Sequence, residues 1–347
     1  MKLIHSLSAL ALALSAPWAG AEQLPQAIRF GGFGQGFGQP HGLAVLAIAQ
    51  DKGFIAEEFK GTPVKISFEY YSGTGPAINE AIASDQLDFA QYGALPNVIG
   101  KANRLPTRIV ANYGSQSVFG VARKGLPIHS VKDLKGYRIG IAKGTVLHWA
   151  FLKTLKDNGL SESDVRIVDL KGVDQLAALA AGSIDAAMHT HTLLKARDGG
   201  IAQVFYRSGS NPGEATAFGA ITVTEKFEQK FPQATQKVVS AIVRAAHWLS
   251  QDGNREEALR IWARSGVPYE LVKEDYEGAS FTALFNPRVD AYFAGLYRNV
   301  ELFTYDNKLT RSRVQLDTWL APQYANQAIR TQGLDKLWPE RRASGAL

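Results

Sequence analysis

The sequence predicts an α/β chain of two Rossmann-like lobes joined by a hinge of two crossover segments, with C-terminal helices on lobe one. Three observations predict it. Strand and helix patterns alternate as βαβαβ, the series occurs twice, and the chain after the second copy is largely helical. Alternation of this kind gives parallel sheets with helices on both faces.

The first copy opens with the strand AIRFGGF and a helix over residues 40–54, PHGLAVLAIAQDKGF. The strand VKISFEYY, the helix GPAINEAIASDQL and the strand DFAQYG follow. The second copy runs through the strand YRIGIA, the helix TVLHWAFLKTLKDNGL, the strand VRIVDL, the helix VDQLAALAAGS and the strand IDAAM. Side by side, Arg29 matches Arg138, His41 matches His148, Val64 matches Val165 and Asp88 matches Asp185. Gly53, Gly159 and Gly182 close helices, as C-cap glycines do. SVFGVARKG, residues 117–125, crosses into the second lobe, and AFGAITVTEKF, residues 217–227, leads back. Lobe one is therefore expected over residues 22–116, lobe two over 117–219, and the return to lobe one with its C-terminal helices over 220–347. In that last part FPQATQKVVSAIVRAAHWLS keeps an apolar face at Val238, Val239, Ile242, Ala245 and Leu249. Paired crossings predict lobes that close around a ligand.

The chain begins MKLIHSLSALALALSAPWAGAEQ: a lysine, a short apolar run and the small-residue site Ala19, Gly20, Ala21. This pattern predicts a secretory signal over residues 1–21, cleaved before Glu22. The apolar run is shorter than the roughly 20 residues that span a bilayer. There is no cysteine, which excludes disulfides, cysteine-based zinc sites, thiol nucleophiles and a lipid-modified N-terminal cysteine. An exported, unanchored periplasmic protein is the expectation. The net charge of +6 favours anionic partners in a general way. Because the charges are scattered, with no basic stripe interleaved with aromatics, nucleic acid is not an expected partner.

Residues 31–42, GGFGQGFGQPHG, follow the first strand directly. Their glycines read G-x-G-x-G rather than the dinucleotide fingerprint G-x-G-x-x-G, and no Lys-Ser or Lys-Thr pair makes a phosphate loop. Glycine also lets backbone approach a ligand. In parallel α/β lobes, ligands sit beyond the carboxyl ends of the strands, at helix N-termini whose free N–H groups seat anions. The opening loop is one such strand end. YYSGTGP at residues 70–76, with Ser72, and AKGTVLHW at residues 142–149 are others.

Three passages then carry a family resemblance. GTGPAINEAIASDQLDFAQYGALP has a glycine-led helix, a strand and a Gly-x-x-Pro loop. VKDLKGYRIGIAKGTVLHWAFLKTLKDNGL has Asp-Leu-Lys-Gly and a Lys-Gly-Thr-x-x-His helix start. FPQATQKVVSAIVRAAHWLSQDGNREEALRIWA has a helical pair with a tryptophan and a Glu-Ala pair. Through nearly all of the chain after residue 21 they resemble periplasmic substrate-binding proteins of ABC importers (type II periplasmic binding proteins), in the branch serving sulfonates, taurine, nitrate and bicarbonate. The resemblance implies ligand contacts at Gly73, Thr74, Gly75, Tyr92 and Gly93 in lobe one and Gly144, Thr145 and His148 in lobe two. It further implies that the opening loop, with Phe33, Gly34, Gln35 and Phe37, forms one wall. Where the branch commonly carries an aromatic-acidic-proline-aromatic loop, this chain has HTHT at residues 189–192. That departure bears on the organic part of the ligand.

Several side chains keep two readings. His189 and His191, two apart, face one way in an extended segment; they read as ligand contacts, as a metal pair with Asp185, or as loop polarity. His148, at a helix start whose dipole disfavours its charged form, reads as a neutral donor to a ligand or as a half-buried helix residue. His41 reads as a contact or as buried under its helix. Glu214 reads as a solvated loop charge or a latch between the lobes. Of the aromatics, Phe33, Phe37, Tyr70, Tyr71, Tyr92 and Tyr113 each read as pocket lining or as core, with Phe33 and Tyr92 preferred as lining. The expected function is non-catalytic: capture of an organic anion, a sulfonate or sulfate ester, and its delivery to a membrane permease and ATPase by a monomer without a cofactor. The alternatives are nitrate, bicarbonate or a heterocyclic vitamin precursor as ligand, or an enzyme, either a metal-dependent hydrolase or a thiamine-pyrimidine-synthase-like protein.

Overall fold

The structure, a computed structural model, describes residues 24–34, 41–209 and 215–343. The signal segment, Gln35, Phe37 and Glu214 lie outside the described residues.

Two five-stranded sheets organise the chain. In the first part β1 (Ala27–Phe33), α1 (Ala44–Asp51), α2 (Phe54–Glu58), β2 (Lys65–Tyr71), α3 (Thr74–Ala83), β3 (Phe89–Gly93), α4 (Ala94–Ala102) and β4 (Thr107–Gln116) follow in order. The second part contains β5 (Phe119–Arg123), β6 (Arg138–Ile141), α5 (Val146–Asp157), β7 (Arg166–Asp169), α6 (Gly172–Ala180), β8 (Ala186–His189), α7 (Leu194–Asp198) and β9 (Ala202–Arg207). The chain returns through β10 (Ala217–Thr224). It then adds α8 (Glu225–Lys230), α9 (Pro232–Leu249), α10 (Arg255–Ala263), α11 (Tyr269–Asp275), α12 (Phe281–Leu284), α13 (Ala291–Asp306), α14 (Leu316–Trp319) and α15 (Pro322–Thr331).

Sheet one has the order β2-β1-β3-β10-β4 and sheet two β7-β6-β8-β5-β9. The repeated βαβαβ units form the parallel strands: β1 pairs in parallel with β2 and β3, and β6 with β7 and β8. The segments read as crossings do more than connect. β10 lies antiparallel between β3 and β4, and β5 antiparallel between β8 and β9. Each sheet is therefore mixed rather than wholly parallel. All eight residues of β10 are buried, so the returning strand is a central strand, and its unbroken apolar run suits burial on both faces. The expected helix over residues 40–54 is split: α1 ends at Asp51, Gly53 takes φ +69°, and α2 begins at Phe54.

The duplication reaches individual hydrogen bonds. Asp88 accepts from the backbone N–H, Nε and Nη2 of Arg29 at 2.8, 3.0 and 2.8 Å. Asp185 accepts from the same three groups of Arg138 at 2.9, 3.0 and 2.7 Å. Each aspartate N–H answers the arginine carbonyl, at 2.9 and 2.8 Å. In both lobes the clip ties the start of the first strand to the chain entering the third.

α9 buries Val238, Val239, Ile242, Ala245 and Leu249 against sheet one, together with α1 and α10. Trp262 of α10 donates its indole N–H to the Ala44 carbonyl at 3.1 Å and packs on Tyr276, Phe281 and Phe285. α9 to α12 and α15 thus pack on the body of sheet one, whereas α13 and α14 lie in a second core that also holds Ile139, Ile141 and Trp149. Phe119 of β5 and Leu194 of α7 join the core of sheet one.

Candidate functional site

A cavity of about 480 Å³ lies between the sheets, lined from both. Four helix N-termini supply much of its wall: Gly73, Thr74 and Gly75 of α3, Gly93 ahead of α4, Thr145, Val146 and Leu147 of α5, and Lys171, Gly172 and Val173 of α6. The first N–H groups of a helix have no partner within it. In α3, α4 and α6 no side chain caps them. In α5 the Thr145 hydroxyl accepts from Leu147 N–H at 3.2 Å and donates to the Ala142 carbonyl at 2.8 Å. Uncapped N–H groups and the helix dipoles make the cavity a seat for negative charge.

Small residues bring these termini together. A β-carbon at Gly75 would sit 2.1 Å from Pro96 Cγ, so only glycine lets α3 reach α4. At Gly93 a β-carbon would lie 2.7 Å from that of Val146, which belongs to the other lobe. Thr74 takes φ +52°, a left-handed conformation that costs a β-branched residue about 1–3 kcal/mol. That strain stands in the cavity wall.

The remaining wall is mixed. Phe33 and Tyr113 line it with ring centroids 5.6 Å apart, and Pro76, Pro96, Ala142 and Ala217 add apolar surface. Lys143, Asp169, Lys171 and Asp174 bring charges of both signs; Asp169 accepts from Lys143 N–H at 2.9 Å. His189 and Thr190 close one side, Nδ1 lying 3.2 Å from the Thr190 hydroxyl oxygen. Burial first, and then neighbouring His191, lower the His189 imidazole to about 4. At neutral pH it is an uncharged ring with both donor and acceptor capacity.

Among the sequence-predicted residues, Phe33, Gly34, Ser72, Gly73, Thr74, Gly75, Gly93, Thr145 and His189 come together here. Gly144 stands just behind, with φ +73° and the position of its absent β-carbon 3.5 Å from Pro76. Tyr92 is fully buried and does not line the cavity. His148 points away into the protein; it is 4% exposed and its ring nitrogens have no partner among the described residues. Burial lowers its pKa, as it does for His41. His41 stacks on Tyr70 and sets Nδ1 3.1 Å from the Gly42 carbonyl oxygen. His191 turns away from the cavity and meets Asp275, Nδ1 lying 2.6 Å from Oδ2 with both side chains wholly buried. Among the described residues no group of three or more His, Asp and Glu side chains could hold a metal ion.

Sequence reasoning missed the β7-to-α6 turn, residues 169–174, and Gln116, and it preferred the core reading for Tyr113, which lines the cavity. A signal for the turn was present. It is another strand carboxyl end, and the repeat alignment makes it the counterpart of the loop at residues 70–76.

The comparisons with known proteins agree with this architecture. A protein of Bacillus subtilis (strain 168) named for binding aliphatic sulfonates is 27% identical over 228 residues, covering 64% of this chain and 66% of that protein. The 2'-hydroxybiphenyl-2-sulfinate desulfinase of Rhodococcus erythropolis is 24% identical over 310 residues, 71% of this chain and 82% of the enzyme. A solved structure from Methylobacillus flagellatus KT, titled as the periplasmic sulfonate-binding protein of an ABC transporter, superposes with a TM-score of 0.80 at 25% identity, covering 92% of this chain and 98% of that one. The NMT1/THI5-like family profile matches residues 42–256, more than half of the chain, and the protein belongs to that family.

Proposed function

We propose that this protein is the solute-binding component of an ABC import system, capturing an organosulfonate between its lobes and handing it to a membrane permease with its ATPase. One observation carries the reading: uncapped helix N-termini from both lobes converge on one cavity that also has apolar walls. A sulfonate is a fixed anion on an organic body, and such a site offers N–H donors for the first and Phe33, Tyr113, Pro76 and Pro96 for the second. A volume of about 480 Å³ is in the range that encloses an organic ligand and is generous for nitrate or bicarbonate. The lobes close on the segments near residues 117 and 219, the protein works in the periplasm after loss of its leader, and it acts as a monomer.

The desulfinase relative raises the question of catalysis. Its solved structural counterpart holds biphenyl-2-sulfinic acid in a cysteine mutant, whereas this chain has no cysteine and offers no thiol nucleophile. Binding without turnover is therefore the reading we adopt.

Thermal unfolding of the leaderless chain with alkyl and aryl sulfonates, sulfate esters, taurine, nitrate, bicarbonate and heterocycles tests it. A ligand at about 100 times its Kd stabilises by roughly 2.7 kcal/mol, a rise in Tm of about 5 to 10 °C. Shifts confined to organosulfonates or sulfate esters are expected. A shift with heterocycles alone would refute the anion seat, and sulfite release from an aryl sulfinate would refute the absence of catalysis.

A further inference from the structure

The loop that carries His189 and Thr190 does not stand alone. Two residues on, His191 leaves the cavity side and places Nδ1 2.6 Å from Oδ2 of Asp275, the last residue of α11. The distance suits an N–H donating to a carboxylate oxygen. His191 belongs to the second sheet's body, while α11 packs with α10 and Tyr276 on the body of sheet one. The pair therefore bridges the lobes, and both side chains are fully shielded from solvent.

Its hydrogen bonding is half complete. Nε2 of His191 and Oδ1 of Asp275 have no partner among the described residues. Burying polar groups in this state opposes folding unless the remaining contact is strong and well fixed. Neighbouring bonds fix it. Arg197 of α7 grips Glu274 with two bonds of 2.5 and 2.8 Å. Arg207 at the end of β9 donates to the Glu274 and Asp275 carbonyls at 3.2 and 3.0 Å, and Lys195 donates to the Gly266 carbonyl at 3.2 Å. Four side chains from one lobe thus converge on one stretch of the other.

We propose that His191 and Asp275 are positioning residues: a clasp between the lobes that holds the wall formed by His189 and Thr190 against the cavity, so that a helix outside the cavity governs recognition of the ligand's organic half. The helix N-termini seat the anionic head without help from this loop. Loosening the clasp therefore harms bulky ligands more than small ones.

The absence of cysteine allows spin labels to be placed at exposed Lys65→Cys and Lys132→Cys, one on each lobe. In the ligand-free protein Asp275→Ala is expected to broaden the interlobe distance distribution, whereas Asp275→Asn, which keeps an acceptor for Nδ1–H, leaves it near the parent's. An unchanged distribution in Asp275→Ala overturns the clasp, whatever the protein binds. The second arm, which rests on the sulfonate reading, compares calorimetric affinities for benzenesulfonate and methanesulfonate. Asp275→Ala is expected to weaken the first about tenfold and the second no more than about twofold. Equal losses, or none, overturn the positioning role. A parent protein that binds neither probe refutes the sulfonate reading and leaves the distance measurement to decide the clasp. Should Asp275→Ala fail to fold, the double replacement His191→Phe with Asp275→Leu removes the clasp without stranding a charge, and the same readouts apply.

Discussion

His189 is the cavity residue whose protonation state says most about the ligand. Burial, then the nearby His191, bring its imidazole down to about 4 from an ordinary 6.5. In the proposed role an anion in this cavity therefore meets N–H groups and a neutral ring, not an imidazolium. Affinity for a sulfonate should be flat between pH 8 and 6, measured by calorimetry; a tenfold gain over that interval would make the charged ring the anion's partner. Stability follows the same proton with a definite sign. Below about 6.5 the unfolded chain takes up a proton that the folded chain refuses until about 4. The contribution is thus present above 6.5 and lost as pH falls towards 4. The full slope of one such group is about 1.4 kcal/mol per pH unit, and the half-buried ring should deliver less. His189→Gln should flatten the stability profile in that window.

At the scale of elements, the two Arg–Asp clips show what duplication conserves. Asp185 titrates below its ordinary value of 3.8, mainly because the Arg138 side chain donates to it. A depressed carboxylate stabilises the fold above its unfolded value, and that stabilisation is lost as pH falls through the lower folded one. Asp185→Asn should cost about 1 to 2 kcal/mol at pH 7, a sum held down by the partly exposed guanidinium, and the gap from the parent should narrow below pH 4. Urea unfolding at pH 7 and pH 3 would check it; a gap independent of pH would assign the loss to packing. The pairing of Arg29 with Arg138 and Asp88 with Asp185 was legible because the repeat preserved residue type and spacing around a strand start. β4, β9 and the antiparallel insertion of β5 and β10 were not. Strand direction depends on which distant edge a segment meets, and an apolar run such as AFGAITVT fits a central strand of either sense. The same limit applies to His148: its place at a helix start was readable, but the face it turns inward depended on packing between α5 and the rest of the molecule.

For the whole molecule, the proposed function rests on two bodies approaching closely enough to share one ligand, and Gly93 measures how closely. It ends β3 with φ −66° and ψ 157°, a conformation any L-residue accepts. Alanine is thus excluded by neither backbone strain nor lobe one. What it meets is Val146, the first residue of α5 in the other lobe, 2.7 Å from the new β-carbon. Such an overlap can be relieved by backing the lobes apart. Gly93→Ala should therefore leave the ligand-free Tm within a degree or two of the parent. Gly93 is buried, but a Gly to Ala change whose backbone conformation suits alanine is worth about 0.4–1 kcal/mol, and the overlap falls between the lobes rather than inside one. Sulfonate affinity should fall at least tenfold, because N–H donors from the two lobes no longer reach one head group together. X-ray scattering with and without ligand would separate the causes: the parent contracts on binding, and the variant does not. A variant that binds and contracts as the parent does would mean that the cleft has slack at this contact, and that closure is limited elsewhere, at the clasp between His191 and Asp275.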